Sequence, residues 1–326
     1  MNLIPDNIDF ANYMRETDAQ ANVKRASTFS VEMKEHLRQR RTERRVSLPW
    51  AKTTRNFAFR PGELTVWAGV NGHGKSLVTS QIALSLMGQE QKVCVASFEM
   101  KPRVTLQRMA QQFTGMNLFS PEFQDDSGLD AVDEAYDEFL DWTDGKLWLY
   151  AQNGTTDPDL VLGMVRYCAT ELGVQHVFVD NLAKCVRGED DYTGQKTFVD
   201  QLTAIARDHS IHVHLVHHVK KGNKETDLPD KNDVKGSGSI TDQPDNLILV
   251  HRNKSKEDAI KSGKGSDAVK AEPDQMLFVR KQRNHTDNTD GEPQIALWFD
   301  LDSLQYRERP DSPELFFPNF PHVQSM

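Results

Sequence analysis

The chain has 326 residues, 37% of them hydrophobic and 27% charged, and a formal net charge of −9. That is enough apolar material for one large domain or two small ones. The acidic balance argues against a wholly basic nucleic-acid-coating protein, but allows a local basic surface such as a channel lining. No run of about eighteen apolar residues occurs, so no membrane span is expected. Asp6, Asp9, Arg15, Glu16 and Asp18 near the start give no reason to expect a signal peptide. Cys94, Cys168 and Cys185 lie far apart and fit no metal spacing, so they read as reduced thiols of a cytoplasmic protein.

Residues 1–60 are polar and charged, with helical character. The segment HLRQRRTERR carries Arg38, Arg40, Arg41, Arg44 and Arg45, and Pro49 and Trp50 then break the pattern. This reads as a helical arm or linker ahead of a main domain at 61–308. Strand-like and helix-like runs then alternate. ELTVWA (63–68) leads into a glycine loop, and Leu77, Val78, Ile82, Ala83 and Leu86 recur at helical spacing up to Gly88. KVCVASF (92–98) is the next strand, followed by helical stripes through Leu106–Phe113 and Leu129–Leu140. KLWLYA (146–151) precedes Asp157 and Pro158, a capping aspartate and a first-turn proline that start a helix closed by Gly173. HVFVD (176–180), a helix around Phe198–Ala206, and strands at 211–218, 246–250, 276–281 and 294–299 complete the domain. Strands separated by helices of this length predict an α/β fold with a doubly wound, mostly parallel sheet and ligands at the C-terminal strand ends. The segment 309–326 has four prolines, Pro310, Pro313, Pro318 and Pro321, and is expected to be a flexible tail.

The stretch GVNGHGKS, Gly69 to Ser76, fits G-x-x-x-x-G-K-[ST] between a strand and a helix. Gly69, Gly72 and Gly74 let the backbone, with Asn71 and His73, turn its N–H groups toward phosphate oxygens at the helix N-terminus. Lys75 can neutralise phosphate charge, Ser76 can ligate Mg²⁺, and Leu77 begins the helix stripe. Asp180, at the end of an apolar strand, suits a Walker B carboxylate that holds the Mg²⁺ shell. Glu99, at the tip of a neighbouring strand, is a candidate for orienting or deprotonating water.

Taken with later segments, these residues resemble the DnaB-type replicative DNA helicases, including the Twinkle and phage primase–helicase branches. The matching pieces are GVNGHGKS, SFEM (97–100), VFVDNL (177–182), LVHHVKK (215–221), DVKGSGSITDQPDNLILVHR (233–252) and VRKQRN (279–284). The resemblance covers roughly residues 60–307. It implies a RecA-like P-loop NTPase core using ATP and Mg²⁺, a homo-oligomeric ring of six, and translocation on single-stranded or forked DNA. It implies Glu99 as the catalytic carboxylate, His218 as the γ-phosphate sensor, and Lys281 with Arg283 as a finger into the neighbouring subunit's ATP site. It also implies that Arg252 and Tyr306 sandwich the adenine, and that Lys235, Gly236, Ser237 and Gly238 grip the DNA backbone.

On residue grounds the lysine loop after LVHH, with Lys220, Lys221 and Lys224, is a further candidate for phosphate contact. Lys184 and Arg187 after Asp180, and the lysine-rich stretch 253–270, are two more. Loops so poor in aromatic residues favour backbone tracking over base stacking. His212 and His214 share a strand face, but no fourth ligand is evident for a zinc site. The short arm has no zinc-ribbon cysteines and no room for a primase. Priming would therefore come from another chain, and a polymerase or single-strand-binding protein is a further candidate partner. The compactness points to a phage-type protein acting in the cytoplasm. The competing reading is a RecA-like, DNA-dependent ATPase that loads or mediates recombination without unwinding.

Overall fold

The structure is a computed structural model. It describes residues 2–3, 26–31, 33–34, 46–123, 125–152, 154–186, 188, 190–219, 228, 230–236, 238–284 and 293–318. The strands are β1 (Asn2–Leu3), β2 (Leu64–Gly69), β3 (Val93–Ser97), β4 (Leu147–Tyr150), β5 (His176–Asp180), β6 (His212–His218), β7 (Asn246–Arg252), β8 (Gln275–Gln282), β9 (Gln294–Phe299) and β10 (Tyr306–Arg307). The helices are α1 (Lys75–Gly88), α2 (Pro102–Thr114), α3 (Asp126–Thr143), α4 (Pro158–Thr170), α5 (Tyr192–Asp208), α6 (Ser239–Asp242), α7 (Lys254–Lys261) and α8 (Asp267–Ala271).

Among the described residues the strands form one sheet in the order β1-β4-β3-β5-β6-β2-β7-β8-β9-β10. From β1 to β7 every pairing is parallel, and β8, β9 and β10 continue the sheet antiparallel. Strands covered on both faces read as unbroken apolar runs, which is why HVFVD and NLILV carry so few polar residues. Period-two alternation divides the strands between two cores. Leu64, Val66, Ala68, Val177, Val179, Val213, Leu215, Leu247 and Leu249 face α4 and α5. Trp67, Phe178, Val216, Ile248 and Val250 face α1, α2 and α3 on the other side.

The predicted helices are present, and their starts follow from capping. Asp157 Oδ1 accepts from the Asp159 N–H at 2.9 Å with Pro158 in the first turn. Two helices went unpredicted: α7 and α8 fold the lysine-rich stretch, capped by Asn253 accepting from Lys256 and Ser266 accepting from Val269. Lys256 is buried there, its Nζ 2.7 Å from Asp274 Oδ1.

Two boundaries differ from the sequence reading. The packed domain begins at Val46 and not after residue 60, because Leu48, Trp50, Phe57 and Phe59 are buried in the second core. The expected flexible tail packs as far as residue 318. Phe317 is fully buried, and the Leu315 N–H donates to Gln305 Oε1 at 2.7 Å. A phenylalanine beside four prolines reads as disordered only when its apolar docking site is out of view. The five arginines at 38–45 lie outside the described residues.

Burial also decides the fate of the histidine-rich strand. His176, His212 and His214 stack with centroids 4.6–5.5 Å apart and form hydrogen bonds of fixed direction. Trp67 Nε1, a donor only, gives its proton to His214 Nδ1 at 3.2 Å. His214 must then donate from Nε2 to His176 Nδ1 at 3.1 Å. His212 Nδ1 donates to the Arg60 carbonyl at 2.8 Å, so its Nε2 accepts from Thr65 Oγ1 at 2.8 Å. Burial pushes all three imidazoles well below the ordinary value, His212 to about 4. They are neutral polar struts under the sheet.

Candidate functional site

The C-terminal ends of four adjacent strands, in the order β3-β5-β6-β2, bring the sequence-predicted residues to one edge. The glycine loop follows β2 and turns into α1. Gly72 and Gly74 have φ of 79° and 78°, a left-handed region that costs other residues about 1–2 kcal/mol. A Cβ on Gly69 would stand 2.4 Å from the Val250 carbonyl oxygen, and one on Gly74 would stand 2.4 Å from the Tyr306 hydroxyl. The loop is therefore set between β7 and the chain's C-terminal segment. Leu77, in the first turn of α1, packs against the second core.

Lys75 is nearly buried, and its ammonium donates to the Gly69 and Val70 carbonyls at 2.9 and 3.1 Å. Burial lowers its pKa to about 8, against the pull of Asp180 and Glu99. Ser76 Oγ donates to Asp180 Oδ2 at 2.7 Å. Burial raises the Asp180 pKa, while the Ser76 hydroxyl and Lys75 oppose it. A hydroxyl and a carboxylate converging at a helix N-terminus form a donor set suited to Mg²⁺, beside amides suited to phosphate. ATP and Mg²⁺ fit the residues present, with Ser76 and Asp180 for the metal and the loop amides with Lys75 for the phosphates.

The His73 side chain turns away from the loop's concave side. Its Nδ1 accepts from the Arg252 N–H at 3.2 Å, its ring is buried, and burial lowers its pKa to about 4. Only the His73 backbone faces the phosphate cradle, while the imidazole ties the loop to the end of β7.

Glu99 lies two residues past the end of β3 and is 44% exposed. Asn181 Nδ2 donates to Glu99 Oε1 at 2.5 Å and meets His218 Nε2 at 3.0 Å. An amide donates both of its hydrogens here, so His218 accepts at Nε2 and carries its own proton on Nδ1. Glu99 and His218 are also 4.0 Å apart, but that contact is not an ion pair at neutral pH. Burial, and then Lys75, lower the His218 pKa to about 3. Asn181, fully buried, is the site residue that sequence reasoning missed. The signal was its place directly after Asp180 in a strand-end motif.

His218 ends β6, and the segment carrying Lys235 folds back onto it. The Lys235 N–H donates to the His218 carbonyl at 3.0 Å, and His217 Nε2 meets the Lys235 carbonyl at 2.8 Å. Gly236 has φ of 93°, and a Cβ there would stand 2.1 Å from Gln195 Oε1. Close packing on α5 therefore accounts for that glycine as well as any ligand does. Gly238 has open space on its Cα. Lys220, Lys221, Ser237 and Arg187 lie outside the described residues.

Lys281 and Arg283 point to one place, as a spacing of two predicts. Lys281 Nζ donates to the Thr241 and Asp242 carbonyls at 3.1 and 2.5 Å. Arg283 donates to Asp245 Oδ1 at 3.2 Å and to the Asp242 and Gln243 carbonyls at 3.4 and 3.3 Å. This is the opposite edge of the sheet from the glycine loop. Asp245 Oδ2 accepts from the N–H of Leu64, the first residue of β2, and the loop starts after Gly69, its last. Six residues at ~3.3 Å each put about 17 Å between the two edges.

Arg252 is held by Glu257 in a short contact, and Glu257 also takes Lys254 at 3.1 Å. Tyr306 does not stand on open surface. It is buried, its ring lies 5.0 Å from Phe299, and burial raises its phenol pKa. Arg252 and Tyr306 thus flank the loop, with Tyr306 serving as part of its floor.

Comparison with known proteins agrees with this geometry. The AAA domain family (AAA_25) matches residues 55–224, more than half of the chain. The Twinkle homolog protein, chloroplastic/mitochondrial, of Arabidopsis thaliana is 26% identical over 230 residues, 65% of this chain and 31% of its own length. The DNA helicase/primase of Enterobacteria phage T3 is 25% identical over 215 residues, 61% of this chain and 37% of its own. The chain thus spans about a third of the length of these curated relatives. Among solved structures, a stand-alone ATPase domain superposes with a TM-score of 0.69 at 13% identity, covering 88% of this chain and 99% of that one. A DnaB-like replicative helicase, solved to describe its interactions with primase, superposes at 0.65 and 12% identity, covering 88% and 67%. At such identities these two likenesses concern the fold. The chain belongs to the AAA domain family, with the RecA-like ATPase core of the DnaB-type helicases.

Proposed function

We propose that the protein is an ATP-driven DNA helicase motor of phage type, working as a ring of six copies that tracks single-stranded DNA without a primase activity of its own. The observation that carries the ring is the position of Arg283. It lies about 17 Å along β2 from its own glycine loop, farther than an arginine side chain extends. It can therefore serve an ATP site only across a contact between copies. Arginine fingers of this kind are worth ~10³–10⁵ in rate.

Within one copy, Lys75 and the loop amides hold phosphate charge, and Ser76 with Asp180 holds Mg²⁺. Bound ATP with its metal supplies the energy of phosphoryl transfer. Glu99, aimed by Asn181, accepts the proton of the attacking water, and neutral His218 offers its ring to the terminal phosphate. Lys235 and its neighbours lie against the DNA backbone.

The two curated relatives carry "Twinkle" and "helicase/primase" in their names. A separate primase is the partner class this reading implies. The test is strand displacement on a forked duplex with ATP and Mg²⁺, with Lys75→Ala as control. Release of the displaced strand by the wild type alone is the expected result. ATP consumption without displacement would contradict a helicase.

A further inference from the structure

Both peptide groups of Lys235 are tied to the last two residues of β6. Its N–H donates to the His218 carbonyl at 3.0 Å, and its carbonyl meets His217 Nε2 at 2.8 Å. A carbonyl can only accept, so His217 must donate from Nε2. The adjoining residues close the same contact, with Val219 bridging Val234 in antiparallel register. His217 is buried, so its ring has little freedom to leave this partner. On the far side of the same strand end, His218 Nε2 accepts from Asn181, whose other amide hydrogen holds Glu99. One rigid strand end therefore carries the water-activating carboxylate's partner on one side and the lysine loop on the other.

We infer that His217 is the positioning residue that locks the Lys235 loop to β6, so that movement of the strand end on nucleotide turnover is passed to DNA. The inference rests on the reading of Lys235 as a DNA contact. It predicts which chemical group matters: a donor at the Nε2 position, not an imidazole as such. Glutamine reaches that position with its amide nitrogen. Asparagine carries the same amide one carbon short and cannot. The pair has matched polarity and matched burial cost, so loss of folding would strike both alike, and melting temperatures check this directly.

The readout is coupling: the ratio of dissociation constants for a labelled oligo-dT strand with ADP and with a non-hydrolysable ATP analogue, in Mg²⁺. Binding couplings of this kind typically span about 5–150-fold. In His217→Asn the ratio should fall to about 1, and in His217→Gln it should stay near the wild-type value. Lys235→Ala, run alongside, should weaken DNA binding and flatten its salt dependence. If His217→Asn keeps the wild-type ratio while Lys235→Ala weakens binding, the lock is wrong and the DNA loop stands. If His217→Gln loses the ratio along with His217→Asn, the donor is not what matters and the lock is again wrong. If Lys235→Ala binds DNA as the wild type does, the loop assignment falls and the lock falls with it.

Discussion

Asn181 holds Glu99 through a hydrogen bond of 2.5 Å, and the same amide nitrogen reaches His218 at 3.0 Å. The carboxylate that would activate water and the ring that would meet the terminal phosphate are thus spaced by one side chain from a third strand. Asn181→Leu keeps nearly the same volume in a fully buried position and removes both donors. We expect kcat for ATP to fall on the order of 10²-fold, the lower range for a misaligned general base, with a much smaller change in KM. Wild-type turnover in this variant would remove Asn181 from the site.

Lys75 gives a pH dependence with a definite sign. Its pKa lies near 8 in the free protein because burial disfavours the ammonium. Bound phosphate charge favours the ammonium and raises that pKa. Binding therefore takes up a proton once the pH exceeds about 8, and nucleotide affinity should be flat from pH 7 to 8 and then weaken by up to about tenfold per unit above it. Titration with a fluorescent nucleotide between pH 7 and 9.5 checks this. A flat profile to pH 9.5 would mean that Lys75 does not carry the binding charge.

The buried histidines give an opposite dependence, in stability. His176, His212 and His214 are neutral when folded, with pKa values lowered by burial, while in the unfolded chain they take protons near pH 6.5. The unfolded state then binds more protons, so stability is complete above pH 6.5 and is lost as pH falls toward 4. Each extra proton costs about 1.4 kcal/mol per pH unit. Urea midpoints measured from pH 7.5 to 5 should drop through this window. Constant midpoints would show that these rings titrate alike in both states.

Phe317 tests the corrected boundary. Its ring is fully buried in the second core, alongside Trp50 and Tyr306. Phe317→Ala should cost about 3–5 kcal/mol, as other buried phenylalanine truncations do. A change below about 1 kcal/mol in chemical denaturation would return the segment to a dispensable tail.

The sequence carried the strands, the glycine loop and its acids because those signals are local. GVNGHGKS needs only its own spacing, and HVFVD is legible because a strand covered on both faces has no polar positions to confuse it. What it hid depends on contacts between distant segments. Asn181 matters through Glu99, 82 positions earlier. The His73 ring faces β7 because the Arg252 N–H, 179 positions later, donates to it. The histidines of β6 looked like candidate ligands until Trp67, Thr65 and the Arg60 carbonyl fixed every proton. The direction of β8 was also illegible. Only its antiparallel pairing with β7 carries Arg283 to the edge away from the glycine loop.

That placement makes the shared ATP site the claim to test most directly. Arg283→Ala and Lys75→Ala copies are each expected to be inactive alone, because each lacks one half of every site. Mixed in varying ratio with ATP, Mg²⁺ and single-stranded DNA, they should regain ATP turnover. The gain should peak near equal amounts, where an intact Lys75 in one copy meets an intact Arg283 in the next. Turnover that stays at the level of the separate variants at every ratio would contradict a site built between copies.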